Sequence, residues 1–253
     1  MLDLLPPTLW AICISVTLVA GFIKGAVGFA LPLIMVSGMS TVIDPRLAVA
    51  GLVIPTVASN LAQVARAGRA EALSAARDFR YYIIPACLMV FLVAQFLSQI
   101  PPRAFYFAIG VPVLILSLVQ LAGLRFSVPP ERRGLWDPLV GAFAGTIGGI
   151  AGNWGPPTVL YLLALGVDRT RQMATQGVVY ALGSVTLLIG HTSSGILNRE
   201  TLPFSLALLV PAGLGMWLGF RFGERLDAEK FRSVTLVVLV LAGANLLRRG
   251  LFG

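Results

Sequence analysis

The sequence predicts an all-α, polytopic membrane protein made of two repeats, the first segment of each broken or re-entrant. Three observations predict it. Of 253 residues, 57% are hydrophobic and 12% charged, with a mean hydropathy of +0.87, so the polar surface is too small to cover a soluble globule of this size. The apolar runs suit helices of about 20 residues and far exceed the roughly 10-residue alternating strands of an outer-membrane barrel. The stretch AGFIKGAVGFALPL, from Ala20 to Leu33, also has a double: moved 124 positions without a gap, Gly21, Gly25, Gly28, Pro32 and Asp44 fall on Gly145, Gly149, Gly152, Pro156 and Asp168.

The first apolar run, Thr8 to about Ile43, is too long for one ordinary spanning helix and too short for two. Its central glycines and proline weaken a helix, and irregular backbone at membrane depth survives only where protein or a water-filled cavity surrounds it. It reads as a broken helix or re-entrant hairpin. After Asp44-Pro45-Arg46, where proline disfavours helix in the residue before it, a second helix runs from about Leu47 to Ala65 with Pro55, Asn60 and Gln63. A connector with Arg66, Arg69, Arg77 and Arg80 leads to a third helix, about Tyr81 to Ile100, and a fourth, about Ala104 to Leu124. The first repeat is thus residues 1–125, followed by a polar linker at 126–137 and a second repeat at 138–253. That repeat opens on Pro138 to Gly166, broken by Gly152-Asn153-Trp154-Gly155-Pro156-Pro157, and continues in helices at about Thr170 to Gly190, Leu202 to Phe220 and Phe231 to Leu247. Later in each half the offset slips to 126: Pro85 matches Pro211 and Phe105 matches Phe231.

A net charge of +8 would suggest nucleic acid in a soluble protein, but here the arginines occupy short connectors between apolar runs, a signature of topology. Cys13 and Cys87 lie in apolar runs without metal-ligand spacing and read as small buried hydrophobes. The amino terminus has an acidic residue and no basic one before its apolar run, which is unlike a cleaved signal peptide. With eight crossings, basic residues divide ten against eight between the two sides; with each broken run returning to its own side they divide thirteen against five. The second arrangement, with inverted halves and the 66–80 connector in the cytoplasm, is expected. A two-pass packing of each broken run would give the same parity.

A discontinuous helix presents an amino-terminal end with unpaired N–H groups and about half a positive charge inside the bilayer, which suits a small oxyanion. Pro32, Pro156 and Pro157 fit the start of such half-helices. Lys24 is the one lysine or arginine inside an apolar segment, a functional candidate by default unless it snorkels or pairs structurally. The candidate substrate-binding set is Lys24, Gly25, Gly28, Asn60, Gly152, Asn153, Trp154, Gly155, Gln176 and Tyr180, with no catalytic residue and no metal ligand. Asn153 could instead cap a half-helix. Asn60, with Ser59 and the equivalent Ser184, could be interhelical glue. Gln176 and Tyr180 share a helix face one turn apart. His191 reads as an interfacial polar residue rather than a proton carrier. No carboxylate falls in the middle of a span, Asp44 and Asp168 are expected to cap helices, and no P-loop, CxxC, HExxH or GxSxG occurs. No enzyme and no cofactor are expected.

The tandem segments Gly21-x3-Gly25-x2-Gly28-x3-Pro32 and Gly145-x2-Gly148-Gly149-x2-Gly152-x2-Gly155-Pro156, each opening a four-segment half, resemble the sulfite exporter TauE/SafE family of bacterial membrane transporters. The resemblance covers essentially the whole chain. It implies a multi-pass protein of the bacterial inner membrane that moves small sulfur-containing anions such as sulfite, sulfoacetate or related sulfonates outward, with a small anion and the lipid bilayer as partners. The family pattern tends to continue with further glycines; this sequence departs from it at Phe29-Ala30-Leu31 and Asn153-Trp154, changes that resize or repolarise the pocket. The expected mechanism is alternating access around a midplane site. An anion channel and a non-transporting scaffold subunit are the alternatives.

Overall fold

The first broken run folds as α1 (Pro7–Val27) and α2 (Leu31–Met39), separated by Gly28, Phe29 and Ala30. Gly28 ends α1 in the left-handed conformation at φ 87°, and Ala30 sits in the same region at φ 82°. A non-glycine residue there carries a steric cost of about 1–2 kcal/mol. The chain then reverses, for Gly38 of α2 packs against Val16 of α1, so the two form a hairpin. In the computed structural model, which describes residues 5–124, 127–223 and 228–252 (backbone alone at 228–232), the second broken run repeats this as α7 (Arg133–Ala151) and α8 (Gly155–Ala164).

Each hairpin leads into a long helix capped as expected. The Asp44 carboxylate accepts from the Arg46 and Leu47 amides at the start of α3 (Pro45–Ala67), and Asp168 accepts from the Arg171 amide at the start of α9 (Arg169–Ser193). The remaining helices are α4 (Arg69–Asp78), α5 (Arg80–Phe96, extended by a short 3-10 turn at Leu97–Gln99), α6 (Pro102–Leu121), α10 (Leu202–Gly223) and α11 (Ala228–Phe252). No strand occurs among the described residues. Among the described residues, seven helices are long and apolar enough to cross a membrane: α1, α3, α5 with its extension, α6, α9, α10 and α11 from Ser233 on. At 21 residues α1 spans about 31 Å, enough for a hydrocarbon core, whereas the 9 residues of α2 reach less than half of that.

Two stretches differ from the sequence reading. The 66–80 connector contains α4, a surface helix pinned to the start of α9 by Arg171, which pairs with Glu71 at 2.5 Å and with Asp78. The polar linker ends earlier than expected: a 3-10 turn at Pro130–Arg132 feeds α7 directly, and Asp137 lies buried on α7. Local helix propensity and ion pairing decide both, and hydropathy alone registers neither. Arg125 at the end of the first repeat, Phe126 at the start of the linker, Arg225, and the side chains of Lys230, Phe231 and Arg232 lie outside the described residues.

Packing uses glycine at helix crossings. Gly21 and Gly25 bring α1 against Ala212 and Met216 of α10, and Gly215 and Gly219 bring α10 against Leu18 and Phe22 of α1, so these helices run parallel. Gly141, Gly145 and Gly149 bring α7 against Tyr82, Ala86 and Val90 of α5 in the same way. α3 and α9 cross antiparallel at the centre, where Asn60 bonds the Tyr180 carbonyl and Gly177 lies beside Gln63. α6 and α11 pair antiparallel through Gly110 and Gly243. α10 follows α3, with Phe204 on Gly51 and the Arg66 guanidinium 4.0 Å from the Phe220 ring centroid.

Replacing Gly219 by valine drives a side chain into the Phe22 carbonyl and should cost about 1–3 kcal/mol through overpacking; thermal unfolding in detergent checks this, with Gly213→Ala, which meets open space, as the neutral comparison. Ala30→Gly relieves the left-handed alanine at φ 82° and should raise the melting temperature, a net gain of about 1 kcal/mol or less once the extra freedom of the unfolded chain is counted.

Candidate functional site

The two hairpins meet tip to tip. At Gly155 an added Cβ would lie 3.2 Å from the Phe29 ring, and at Gly152 one would lie 3.2 Å from the Pro32 side chain. The break in each hairpin therefore leaves room for the other. α3 and α9 flank them, and their central polar residues face the same place.

Lys24 occupies the centre. Its side chain is 2% exposed, and its ammonium donates to the Gly28 carbonyl at 2.8 Å, Asn60 Oδ1 at 2.7 Å and Gln63 Oε1 at 2.6 Å. Its nitrogen also stands 5.0 Å from the Tyr180 ring centroid, a cation–π contact. Every acceptor is neutral: no carboxylate pairs with Lys24 among the described residues. A buried cation without a counter-ion is costly, and here the end of α1 offsets part of that cost by pointing its carbonyl pole at the ammonium.

Around Lys24, Asn60 Nδ2 donates to the Tyr180 carbonyl at 3.0 Å and the Tyr180 hydroxyl donates to the Gly155 carbonyl at 3.4 Å. The Trp154 and Tyr180 rings lie 6.3 Å apart. Thr158 donates to the Trp154 carbonyl at 2.6 Å and bonds the Tyr82 hydroxyl at 2.8 Å, fixing the first turn of α8 to α5. Asn153 and Gln176 are buried here as well. Asn153 Nδ2, Gln63 Nε2 and Gln176 Oε1 are each buried without a hydrogen-bond partner, so each has a hydrogen bond still to offer.

The structure thus gathers Lys24, Gly28, Asn60, Gly155 and Tyr180 into one contact network with Trp154; Gly152 meets Pro32 and Leu187 where the hairpin tips touch, Asn153 follows it beside Trp154, and Gln176 stands one turn from Tyr180. Gly25 lies elsewhere: it faces Met216 and Gly219 of α10 in a helix crossing. The backbone chemistry also differs from the expectation. The Gly28 and Gly152 amides are spent closing α1 and α7, on the Lys24 carbonyl at 2.8 Å and the Gly148 carbonyl at 2.6 Å. The open amides belong to the residues that follow, and the prolines thin them: in the first turns the N–H groups left open are those of Leu31 and Leu33 of α2 and Gly155 of α8, since Ile34 and Thr158 already donate to the Ala30 and Trp154 carbonyls. Side chains hold more of the site's hydrogen-bonding capacity than the backbone does.

Gln63, which hydropathy and motif leave as one polar residue among others on the second helix, bonds Lys24 directly. Its signal is the three-residue spacing from Asn60, which puts both amides on one face. Asp137 gave no signal. Its carboxylate accepts from the Tyr161 hydroxyl at 2.5 Å and pairs with Arg133 at 3.3 Å, away from Lys24. His191 is fully buried in the last turn of α9 beside Ile150, rather than interfacial, because α9 runs on to Ser193 and the next loop folds back to bond the His191 carbonyl.

The two ends of the molecule are unlike. Between the carboxyl ends of α6 and α8 and the start of α11 lies a cleft of about 880 Å³, lined by Gln120, Gly123, Ala164, Leu165 and Ser233 among others. At the corresponding place on the opposite end, Arg249 of α11 is bonded to the Ser40 carbonyl, to the Thr41 carbonyl at 2.6 Å and to the Tyr106 hydroxyl at 3.3 Å. By the repeat, Ser40 and Thr41 correspond to Ala164 and Leu165, and Arg249 to Gly123. One end carries an arginine across the end of the short half-helix; the other carries a glycine and a cleft.

No curated protein and no solved structure matches the chain. A family model does, over residues 13–246, nearly the whole length, and its description is sulfite exporter TauE/SafE. The family is one of membrane transporters, in keeping with seven apolar helices and the two broken hairpins that meet in their midst. The chain belongs to the sulfite exporter TauE/SafE family.

Proposed function

We propose that the protein exports small sulfur-containing anions, sulfite, sulfoacetate or related sulfonates, across a bacterial inner membrane by alternating access around the site between the two hairpins. The observation that carries this reading is Lys24: a buried ammonium bonded to three neutral acceptors and, among the described residues, to no carboxylate is a site whose charge a substrate anion would balance. Gln63 Nε2 and Asn153 Nδ2, both buried donors without partners, would bond its oxygens, and the Leu31, Leu33 and Gly155 amides would face it from the half-helix ends.

The halves are read as an inverted repeat. In support, α3 and its counterpart α9 cross antiparallel, as do α6 and α11, while α1 packs along α10 as α7 packs along α5. The site then lies near the crossing of α3 and α9, with a pseudo-two-fold axis through it. Of the described arginines, Arg66, Arg69, Arg77, Arg80, Arg132, Arg133, Arg169, Arg171 and Arg221 lie toward the α3 carboxyl end, and Arg46, Arg103, Arg199, Arg248 and Arg249 toward the other. This bias assigns the first end to the cytoplasm. The 880 Å³ cleft opens at that end, and Arg249 closes the opposite one. That asymmetry fits a carrier facing inward. Export of an anion needs no second ion, since an inside-negative potential favours exit by about 2.3 kcal/mol per charge per 100 mV.

Purified protein in liposomes preloaded with unlabelled sulfite should accumulate labelled sulfite transiently by counterflow. Downhill flux without trans-stimulation would indicate a channel, and no flux a scaffold. Arg249→Ala should loosen the outer end: a cysteine placed at Ser40 should react with an impermeant outside thiol reagent at least several-fold faster in that background than with Arg249 intact, and equal rates would remove the arginine from the closure.

A further inference from the structure

Lys24 has no counterpart in the second repeat. The position 124 residues on is Gly148, where an added Cβ would run into the Trp154 ring, so the pseudo-symmetric place is filled by an indole. The other buried charge among the described residues, Asp137, is taken up by Tyr161 and Arg133. His191 lies eleven residues beyond Tyr180 on α9, about 16 Å along the axis. The site therefore offers one fixed positive charge, neutral amide donors at Gln63 and Asn153, and the rings of Phe29, Trp154 and Tyr180.

The attraction of an ion to a single fixed charge grows in proportion to the ion's own charge, whereas the cost of taking it out of water grows with the square of that charge. A monoanion at Lys24 makes a neutral pair in a low-dielectric site. A dianion of the same size leaves one uncompensated negative charge, faced only by neutral donors and aromatic rings. We propose that Lys24 selects substrate by valence: the site accepts monoanionic oxyanions, such as an alkylsulfonate or bisulfite, and rejects isosteric dianions, such as sulfate. This inference rests on the anion-carrier reading above and narrows it: sulfite is taken as its monoanion bisulfite, and sulfoacetate, a dianion at neutral pH, is refused. The rings complement it, because they give an apolar fourth substituent on sulfur a place that a fourth oxygen would waste.

The test uses the intact protein in liposomes with methanesulfonate and sulfate, which share a tetrahedral sulfur and differ by a methyl in place of one oxygen. Wild-type protein should carry methanesulfonate about tenfold or more faster than sulfate at equal concentration, and Lys24→Met should abolish that ratio. Because loss of Lys24 also leaves three buried acceptors unpaired, a second arm keeps the wild-type chain and varies the ligand. Methylphosphonate, which passes from monoanion to dianion as pH rises, should lose flux across its own titration while methanesulfonate does not. Sulfate carried as fast as methanesulfonate, or methylphosphonate flux that ignores its charge, overturns valence selection and leaves the carrier reading standing. Transport of none of the three overturns valence selection, and the carrier reading falls with it only if sulfite counterflow is absent too.

Discussion

The uncompensated ammonium of Lys24 is the constraint on which the architecture turns. A cation at this depth survives only if its N–H groups are all bonded and lipid is kept away, and each element near it serves one of those ends. The end of α1 presents the Gly28 carbonyl, α3 presents Asn60 and Gln63, and α9 presents the face of Tyr180. Breaking the helix at Gly28 makes the first of these possible, since an unbroken α1 would use that carbonyl in its own ladder.

The same break sets the geometry of the second hairpin. Phe29 and Pro32 fit against Gly155 and Gly152, so the tips are complementary in shape as well as repeated in sequence. Asn60 ties the two halves by bonding Lys24 from one and the Tyr180 carbonyl from the other. On the proposed reading, that shared amide would be a short route by which substrate at Lys24 biases the packing of one half against the other.

Much of this was legible in the sequence because the repeat doubled each weak signal. Paired glycines and prolines located both breaks, paired aspartates located both caps, and helix positions followed from hydropathy to within a few residues. The misses have physical causes. α4 is amphipathic and polar, so hydropathy passed over it. A left-handed C-cap spends its N–H on the preceding turn, as Gly28 and Gly152 do, and a glycine in the sequence does not show which of the two roles it takes. Gly25 looks like its site neighbours in sequence, yet the helical twist turns it toward α10. The bond from Arg249 to the end of α2 joins positions more than two hundred residues apart, and no local pattern encodes it. The repeat marks the place only as a difference between the halves: Gly123 stands where it puts Arg249.

Locating a bound anion tests the central claim most directly. Anomalous scattering from methaneselenonate, a heavy-atom analogue of a monoanionic sulfonate, should give one selenium peak between the hairpin tips, close enough for its oxygens to bond Lys24 Nζ and Gln63 Nε2, and the peak should vanish in Lys24→Met. A peak confined to the cleft beside Gln120 and Ser233, or one that persists at the tips without Lys24, would contradict it.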